Sequence, residues 1–157
     1  DMRPSDRYPT LEMRICDVCT YIDDALAIAA LYMCILRMLY RLKSNNQRWR
    51  QYSNMLIEEN RWRAQRYGTE GPLIDFGKGA LVPFDDLLTE LMELLEEDIS
   101  EAGCEKEIAH IRTILKRGTS TQLQRKAYAD AISDGQDHGA ALKAVVDYLV
   151  SATRPNS

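Results

Sequence analysis

Residues 9–37, PTLEMRICDVCTYIDDALAIAALYMCILR, place an alternating segment directly before an almost wholly apolar one. In residues 9–17 the apolar set is Leu11, Met13 and Ile15, and the polar set is Thr10, Glu12, Arg14 and Cys16. This period of two is typical of a β-strand with one buried face. A single strand leaves its backbone N–H and C=O groups unpaired. We therefore expect partner strands from a missing N-terminal part or from a neighbouring subunit.

The apolar segment predicts a helix from Thr20 to about Lys43. Thr20 and Asp23 have the spacing of a capping box at the start of this helix. Residues 25–36 are apolar on every helical face, so we expect the helix to be covered on all sides. The same run has only 12 residues, which is too few to cross a bilayer, and we expect no membrane span.

The rest of the chain predicts helices that are separated by glycines. They are expected at residues 47–66, 84–98, 104–117, 119–134 and 138–152, with a loop at 69–83 that contains a short extended piece at residues 73–76. The chain is thus predicted to be mainly α, with one N-terminal β-strand followed by about six helices. Residues 1–67 hold the end of a sheet, an apolar core helix and a basic helix. Residues 68–157 hold a loop and a helical region of the same domain.

Charge is distributed unevenly along this chain of 157 residues, whose formal net charge is −4. Residues 1–67 carry 11 Lys or Arg against 8 Asp or Glu, whereas residues 68–157 carry 9 against 16. The basic half is therefore the place to look for a site that binds an anion. Four cysteines do not make a disulfide framework, and no signal peptide is evident, so we expect reduced thiols and a cytoplasmic protein.

Glu12 and Arg14 are the most informative polar pair, because they share one strand face about 7 Å apart. Carboxylate oxygens suit Mg²⁺, and a guanidinium binds phosphate or carboxylate through two parallel hydrogen bonds. Two interpretations stay open on spacing alone. The pair is either part of a metal–phosphate site or a salt bridge on the surface of a sheet.

Two long stretches resemble the glutamate–cysteine ligase type 2 family. They are residues 3–20 (RPSxRYPTLExRxCDxCT) and residues 58–68 (EENRWRAxRYG), the second followed by residues 73–76 (LIDF). The turn at Gly103-Cys104 and the tripeptide Arg117-Gly118-Thr119 are also similar to that family. The resemblance runs over essentially the whole chain. It implies the C-terminal part of an α+β, glutamine-synthetase-like catalytic domain whose N-terminal part would precede Asp1.

The resemblance implies an ATP-dependent carboxylate–amine ligase that uses Mg²⁺ and forms an amide through an acyl phosphate. Glu12 and Arg14 match a Glu-x-Arg pair that supplies a metal ligand and a phosphate-contacting arginine in that superfamily. Arg7 falls near another basic position of the pattern. ATP and small amino acids are then the ligands, a homo-oligomer is expected, and the chain alone is expected to be inactive. The carboxylate and amine substrates differ among family members, so they stay open.

The stretch from Asn60 to Arg66 carries a second set of candidate residues. Asn60, Arg61, Trp62, Arg63 and Arg66 are the candidates for binding substrate or nucleotide. The arginines would contact phosphate or carboxylate, and Trp62 or Tyr67 would stack on adenine. The alternative is a helix surface whose arginines pair with Glu58 and Glu59 and whose tryptophan packs in the core.

Other function classes fit the sequence less well. A non-catalytic helical interaction module derived from the ligase is the main alternative. Cys16 and Cys19 have redox-motif spacing, but no further strands are predicted after the helix, and no second Cys/His pair completes a zinc site. Residues 37–67 hold 8 Arg or Lys and 2 Glu, with Arg48-Trp49-Arg50 among them. The resemblance accounts for this charge by ATP, so we expect no nucleic-acid partner.

Overall fold

The computed structural model describes residues 2–154, which form seven helices and four short strands. The strands pair as two antiparallel hairpins, β1–β2 and β3–β4. In chain order the elements are β1 (Met2–Pro4), β2 (Leu11–Met13), α1 (Ile22–Ser44), α2 (Asn54–Tyr67), β3 (Leu73–Asp75), β4 (Ala80–Val82), α3 (Phe84–Leu94), α4 (Glu96–Ala102), α5 (Glu105–Arg117), α6 (Ser120–Ser133) and α7 (His138–Thr153). The prediction of a mainly helical chain is confirmed.

The hydrophobic core lies between α1 and the segment that runs from α3 to α5. Helix α1 contributes one face at spacings of three and four residues, namely Ala27, Ala30, Cys34 and Met38. The opposing residues are Leu88, Leu95, Ile99, Cys104, Ile108 and Ile111. Helix α1 packs chiefly on α5, and α6 packs on α7. This arrangement fixes the N-terminal end of α1, and with it the segment that follows β2.

Helix α1 is covered on one face only within residues 2–154, although the sequence predicts cover on all sides. Its exposed apolar residues include Ile22, Leu26, Met33 and Leu39. The helix has 23 residues, and its most apolar stretch has a mean hydropathy of 1.7 with 22% of that stretch buried. Helix α1 is long and apolar enough to cross a membrane, whereas the 12-residue apolar run in the sequence was too short to do so. Core helices of soluble proteins meet the same criterion, so this is weak evidence for a span.

The N-terminal strand differs from the prediction in length and in its partner. Only Leu11–Met13 is strand, and β1 pairs with it in the register Met2↔Met13, Arg3↔Glu12 and Pro4↔Leu11. One partner strand therefore comes from the chain itself. The face that was expected to be buried is open within the described residues, since Leu11 and Ile15 are exposed and Met13 is half-buried. The extended piece predicted near residue 73 is β3, which pairs with β4.

Three helix boundaries also differ. Helix α2 begins at Asn54 rather than near residue 47, and Ser53, a residue type that favours N-caps, directly precedes it. The helix predicted over residues 84–98 is divided at Leu95, where ψ of 2° departs from helical geometry. The capping box at Thr20 does not form. Tyr21 is the N-cap of α1, and the Thr20 hydroxyl instead hydrogen-bonds the Ser120 hydroxyl at 2.5 Å.

Candidate functional site

Glu12 and Arg14 contact each other at the end of β2. Arg14 Nε lies 3.0 Å from Glu12 Oε2, and the two side chains are 51% and 50% exposed respectively. In the hairpin, Glu12 lies opposite Arg3. The strand face thus brings the predicted acid and guanidinium together, in an ion pair that is open to solvent. An exposed pair of this kind contributes little to stability, on the order of 0–1 kcal/mol.

Arg7 lies apart from this pair, in the connection between β1 and β2. The Ser5 hydroxyl accepts hydrogen bonds from the backbone N–H groups of Arg7 and Tyr8, at 3.3 and 3.1 Å. The Arg7 guanidinium lies 5.5 Å from the centre of the Tyr8 ring. Within residues 2–154 no ion pair or hydrogen bond joins Arg7 to Glu12 or Arg14. Its predicted part in the site therefore stays a prediction.

Asn60 binds the backbone of β3 with both ends of its side-chain amide. Its Nδ2 donates to Ile74 O at 2.9 Å, and its Oδ1 accepts from Ile74 N at 2.7 Å. The Asn60 amide thus pairs with the β3 backbone as a neighbouring strand would, and it anchors α2 to the β3–β4 hairpin. Asn60 belongs to the predicted segment 1–67 and Ile74 to the predicted segment 68–157, so this contact joins the two segments.

The arginines of α2 pair largely as the helix-surface alternative predicts. Arg61 Nη1 lies 3.5 Å from Glu58, and Arg63 Nε lies 3.0 Å from Glu59. That alternative also predicted that Trp62 packs in the core, but Trp62 is 50% exposed. Its ring meets Tyr67 edge-on, with 5.6 Å between the ring centres. Arg66 is exposed and makes no ion pair within the described part of the chain.

A partly buried polar cluster around the buried Asp24, which the sequence did not reveal, lies at the N-terminal end of α1. We call it the Asp24 cluster, and it consists of Asp24, His110, Arg117, Tyr21 and Tyr148. The Asp24 carboxylate is bonded to His110 Nε2 at 2.9 Å and to Arg117 Nη2. The Arg117 guanidinium lies 4.0 Å from the centre of the Tyr21 ring, and the Tyr21 and Tyr148 hydroxyls are 3.3 Å apart. Burial, followed by the hydrogen bond with Tyr21, raises the pKa of Tyr148 to about 12.

The Asp24 cluster ties the start of α1 to α5 and α7. Asp24 precedes Ala27 by three residues, so it lies on the same buried face of α1, and this spacing is the signal that could have revealed it. Next to the cluster, a cavity of about 610 Å³ is lined by residues 16–20 and 119–121, among others. Of the cluster residues, Asp24 lines this open cavity, next to the segment that follows Arg14.

Metal binding rests on Glu12 in the sequence prediction. Among residues 2–154 no group of three or more His, Cys, Asp or Glu side chains is placed to hold a metal ion. The contact to Arg14 uses Glu12 Oε2 only, so Oε1 is not committed to that arginine. Since Mg²⁺ is commonly held by one or two carboxylates together with substrate phosphates, a single carboxylate fits this ion as one ligand among several.

Comparison with known proteins identifies the family. The sequence profile described as Glutamate-cysteine ligase family 2 (GCS2) matches residues 1–147. The chain belongs to this family. The chain is also similar in sequence to curated proteins of this family. It is 58% identical over 153 residues to a Rhodospirillum rubrum protein named "Putative glutamate--cysteine ligase 2". Proteins with the same name from Jannaschia sp. and Paracoccus denitrificans are 49% and 42% identical over 150 and 154 residues.

The match covers almost all of this family member but only part of each relative. The alignments include 98%, 96% and 98% of this chain for the Rhodospirillum rubrum, Jannaschia and Paracoccus proteins respectively. They include 39%, 39% and 41% of those three relatives. The chain therefore spans about two-fifths of the length of these relatives. No solved structure matches it. The resemblance to the glutamate–cysteine ligase family is confirmed, and the roles of the individual site residues remain predictions.

Proposed function

We propose that this chain is part of an ATP-dependent carboxylate–amine ligase of the glutamate–cysteine type. The observation that carries the proposal is the Glu12–Arg14 pair on the strand before α1, in a member of a ligase family. In this reaction a substrate carboxylate is phosphorylated by ATP, and an amine then displaces phosphate to give the amide. ATP, Mg²⁺ and small amino acids are the proposed ligands. The family match does not favour the non-catalytic module.

Arg14 has the donors that the proposed role needs. The contact to Glu12 uses Nε, which leaves the terminal fork of the guanidinium for a phosphoryl group. We assign to Arg14 the stabilisation of negative charge on the transferring phosphoryl group, since this kind of electrostatic stabilisation dominates phosphoryl transfer. Glu12 would hold Mg²⁺, which supplies further positive charge when bound. Arg7, which lies apart from the pair in this structure, stays a proposed further basic residue of the complete site.

Exposed apolar residues on two elements support a larger assembly. Leu11 and Ile15 on the strand segment and Ile22, Leu26 and Met33 on α1 are all exposed large apolar residues. The three on α1 lie along one side of the helix, and an exposed apolar helix face normally packs against another part of a protein. We propose that the remaining sheet of the ligase, from the N-terminal part or a neighbouring subunit of a homo-oligomer, covers it. On this proposal α1 lies in a protein core and not in a membrane, and the enzyme is cytoplasmic. The free thiols of the four cysteines agree with that compartment.

The proposal is tested in a full-length hybrid, in which this chain replaces the matching 153 residues of the Rhodospirillum rubrum relative. The hybrid is expected to release ADP and form amide when glutamate and cysteine are supplied. The 157-residue chain alone is expected to form no amide. ATP-dependent amide formation by the purified chain would refute the proposed dependence on further sheet. A hybrid that is folded and binds substrates but releases no ADP would refute the proposed activity.

A further inference from the structure

The cavity of about 610 Å³ beside residues 16–20 directly follows the Glu12–Arg14 pair along the chain. Its other lining residues come from α1, α5, the start of α6 and the end of α7. We call it the Asp17 cavity. Its volume falls within the range of cavities that bind small molecules, about 300–1,000 Å³. Because three residues of extended chain span at most about 11 Å, the Cα atom of Asp17 lies within that distance of the Cα atom of Arg14.

The charge that lines the Asp17 cavity is negative. Among the described residues its lining contains two carboxylates, Asp17 and Asp24, and no Lys, Arg or His side chain. Asp24 is neutralised by His110 and Arg117, neither of which lines the cavity. Asp17 Oδ1 accepts the backbone N–H of Val18 at 2.7 Å, and within residues 2–154 its Oδ2 makes no hydrogen bond or ion pair. A cavity with this lining attracts a cationic group and disfavours phosphate or carboxylate.

Several neutral polar groups of the cavity are bonded to one another. Gln124 Nε2 donates to Ser120 Oγ at 2.9 Å, and the Ser120 hydroxyl hydrogen-bonds Thr20 Oγ1 at 2.5 Å. Burial raises the pKa of the Cys19 thiol, so this lining group is uncharged at neutral pH. These groups are committed within the fold, whereas the Asp17 carboxylate keeps an oxygen that can accept hydrogen bonds from a ligand.

An apolar wall is the third feature of the cavity. Ile28 of α1, Ile114 of α5 and Leu149 of α7 line it, and all three are half-buried. They offer contact surface to the apolar body of a ligand. A carboxylate on that body would lie against this wall, or near Asp17, with no cation of the described lining to pair with it. The lining therefore fits a small primary amine whose body is uncharged.

We propose that the Asp17 cavity binds the amine substrate of the ligase, with the ammonium group on Asp17 and an uncharged side chain against the apolar wall. This inference rests on the proposed ligase function and names the position of its second substrate. The position suits the reaction, because the amine must reach an acyl phosphate that forms beside Arg14. The substrate class is a small amino acid with an uncharged side chain. Cysteine meets this description, whereas glutamate carries a second carboxylate and does not.

The test uses the full-length hybrid ligase and measures binding of L-cysteine by isothermal titration calorimetry and the KM for L-cysteine in ADP release. Asp17→Asn removes the charge but keeps an oxygen that can accept the Val18 N–H. We expect this variant to weaken binding of L-cysteine and to raise its KM at least about tenfold, as loss of one charge-assisted hydrogen bond does, with the KM for ATP unchanged. Asp23→Asn is the matched control, because Asp23 is exposed at the start of α1 and does not line the cavity.

A second pair of variants fills the cavity without touching Asp17. Thr153→Trp adds bulk at an exposed position at the end of α7 that lines the cavity. Ser151→Trp is its control, because Ser151 is exposed on the same helix outside the lining. We expect Thr153→Trp to raise the KM for L-cysteine severalfold and Ser151→Trp to leave it unchanged. Circular dichroism confirms that each variant is folded.

Two results would overturn the proposal. They are the absence of L-cysteine binding to the unaltered hybrid, and equal binding and KM for L-cysteine in the Asp17→Asn and Asp23→Asn variants. Failure of the cavity is distinct from failure of the proposed function. ADP release that needs Glu12, with an unchanged KM for L-cysteine in Asp17→Asn, would refute only the amine site. A hybrid that releases no ADP but binds L-cysteine through Asp17 would support the amine site and refute the proposed activity.

Discussion

Asp24 and His110 are separated by 86 positions in the chain, yet the Asp24 carboxylate lies 2.9 Å from the His110 ring. Arg117 binds the other oxygen of the same carboxylate. The three side chains join the start of α1 to α5. Asp24 also lines the cavity formed by residues 16–20 and 119–121, next to the segment that follows Arg14. A partly buried network of polar and charged side chains therefore holds the start of α1, the helix that follows the predicted catalytic strand.

Replacing Asp24 is expected to destabilise the fold strongly. Asp24→Asn leaves Arg117 without its charged partner in a largely buried place, and loss of one partner of such a pair costs about 3 kcal/mol. Urea denaturation followed by circular dichroism measures the free energy of unfolding. Asp23→Asn is the control, because Asp23 is exposed in the same helical turn and should change stability by less than about 0.5 kcal/mol. Equal effects of the two variants would contradict the assigned role of the cluster.

Stability is expected to fall in alkali through Tyr148. Its pKa is raised to about 12 in the folded protein, whereas an unfolded tyrosine has the ordinary value of about 10. Between these values the unfolded chain binds fewer protons than the folded one, so the free energy of unfolding declines as pH rises from about 10 towards 12. Denaturation curves at a series of pH values measure the slope. Tyr148→Phe should make this slope less steep. An unchanged slope would contradict the raised pKa of Tyr148 in the folded protein.

Reactivity of the thiols should follow their burial. Cys34 and Cys104 are buried with their sulfurs 3.4 Å apart, and burial raises the pKa of Cys34 to about 12. Because the thiolate is the reactive form, iodoacetamide at pH 8 should label the exposed Cys16 first and leave Cys34 unmodified. Peptide mass spectrometry after timed labelling measures the order. Cys34 should react only once urea unfolds the chain, and early labelling of Cys34 in the folded protein would contradict the packing of α1 on α5.

Loss of the Asn60 amide should loosen the β3–β4 hairpin. Asn60→Ala removes two hydrogen bonds to Ile74, which together contribute about 1–3 kcal/mol. The direct measurement is hydrogen exchange at the Ile74 amide, which should become faster. Gln65→Ala, an exposed change on the same helix, is the control and should leave that exchange unaltered. If Asn60 instead serves only to bind a ligand, exchange at Ile74 will not respond to its replacement.

The sequence predicted local structure better than contacts between distant residues. Helices α5, α6 and α7 lie close to their expected bounds, because glycines at 103, 118 and 135 end the preceding helices. Strand β1 was missed, since its three residues include a proline and carry no alternating pattern. Strand periodicity predicted that Glu12 and Arg14 share one face, and the two side chains contact each other although β2 ends at Met13. The Asp24 cluster did not, because its partners come from helices far apart in the chain and only tertiary packing brings them together.

The central claim is that Glu12 and Arg14 act in ATP-dependent amide formation, and ADP release by the hybrid ligase tests it most directly. Glu12→Gln keeps the size of the side chain but removes the charge that would hold Mg²⁺. Glu101→Gln is the matched control, because Glu101 forms a comparably exposed ion pair with Arg37 at 2.6 Å, remote in the chain from β2. We expect Glu12→Gln to lower kcat at least about 100-fold, as removal of single electrostatic groups does in other enzymes, and Glu101→Gln to leave it unchanged. Full ADP release by the Glu12→Gln hybrid would contradict the account.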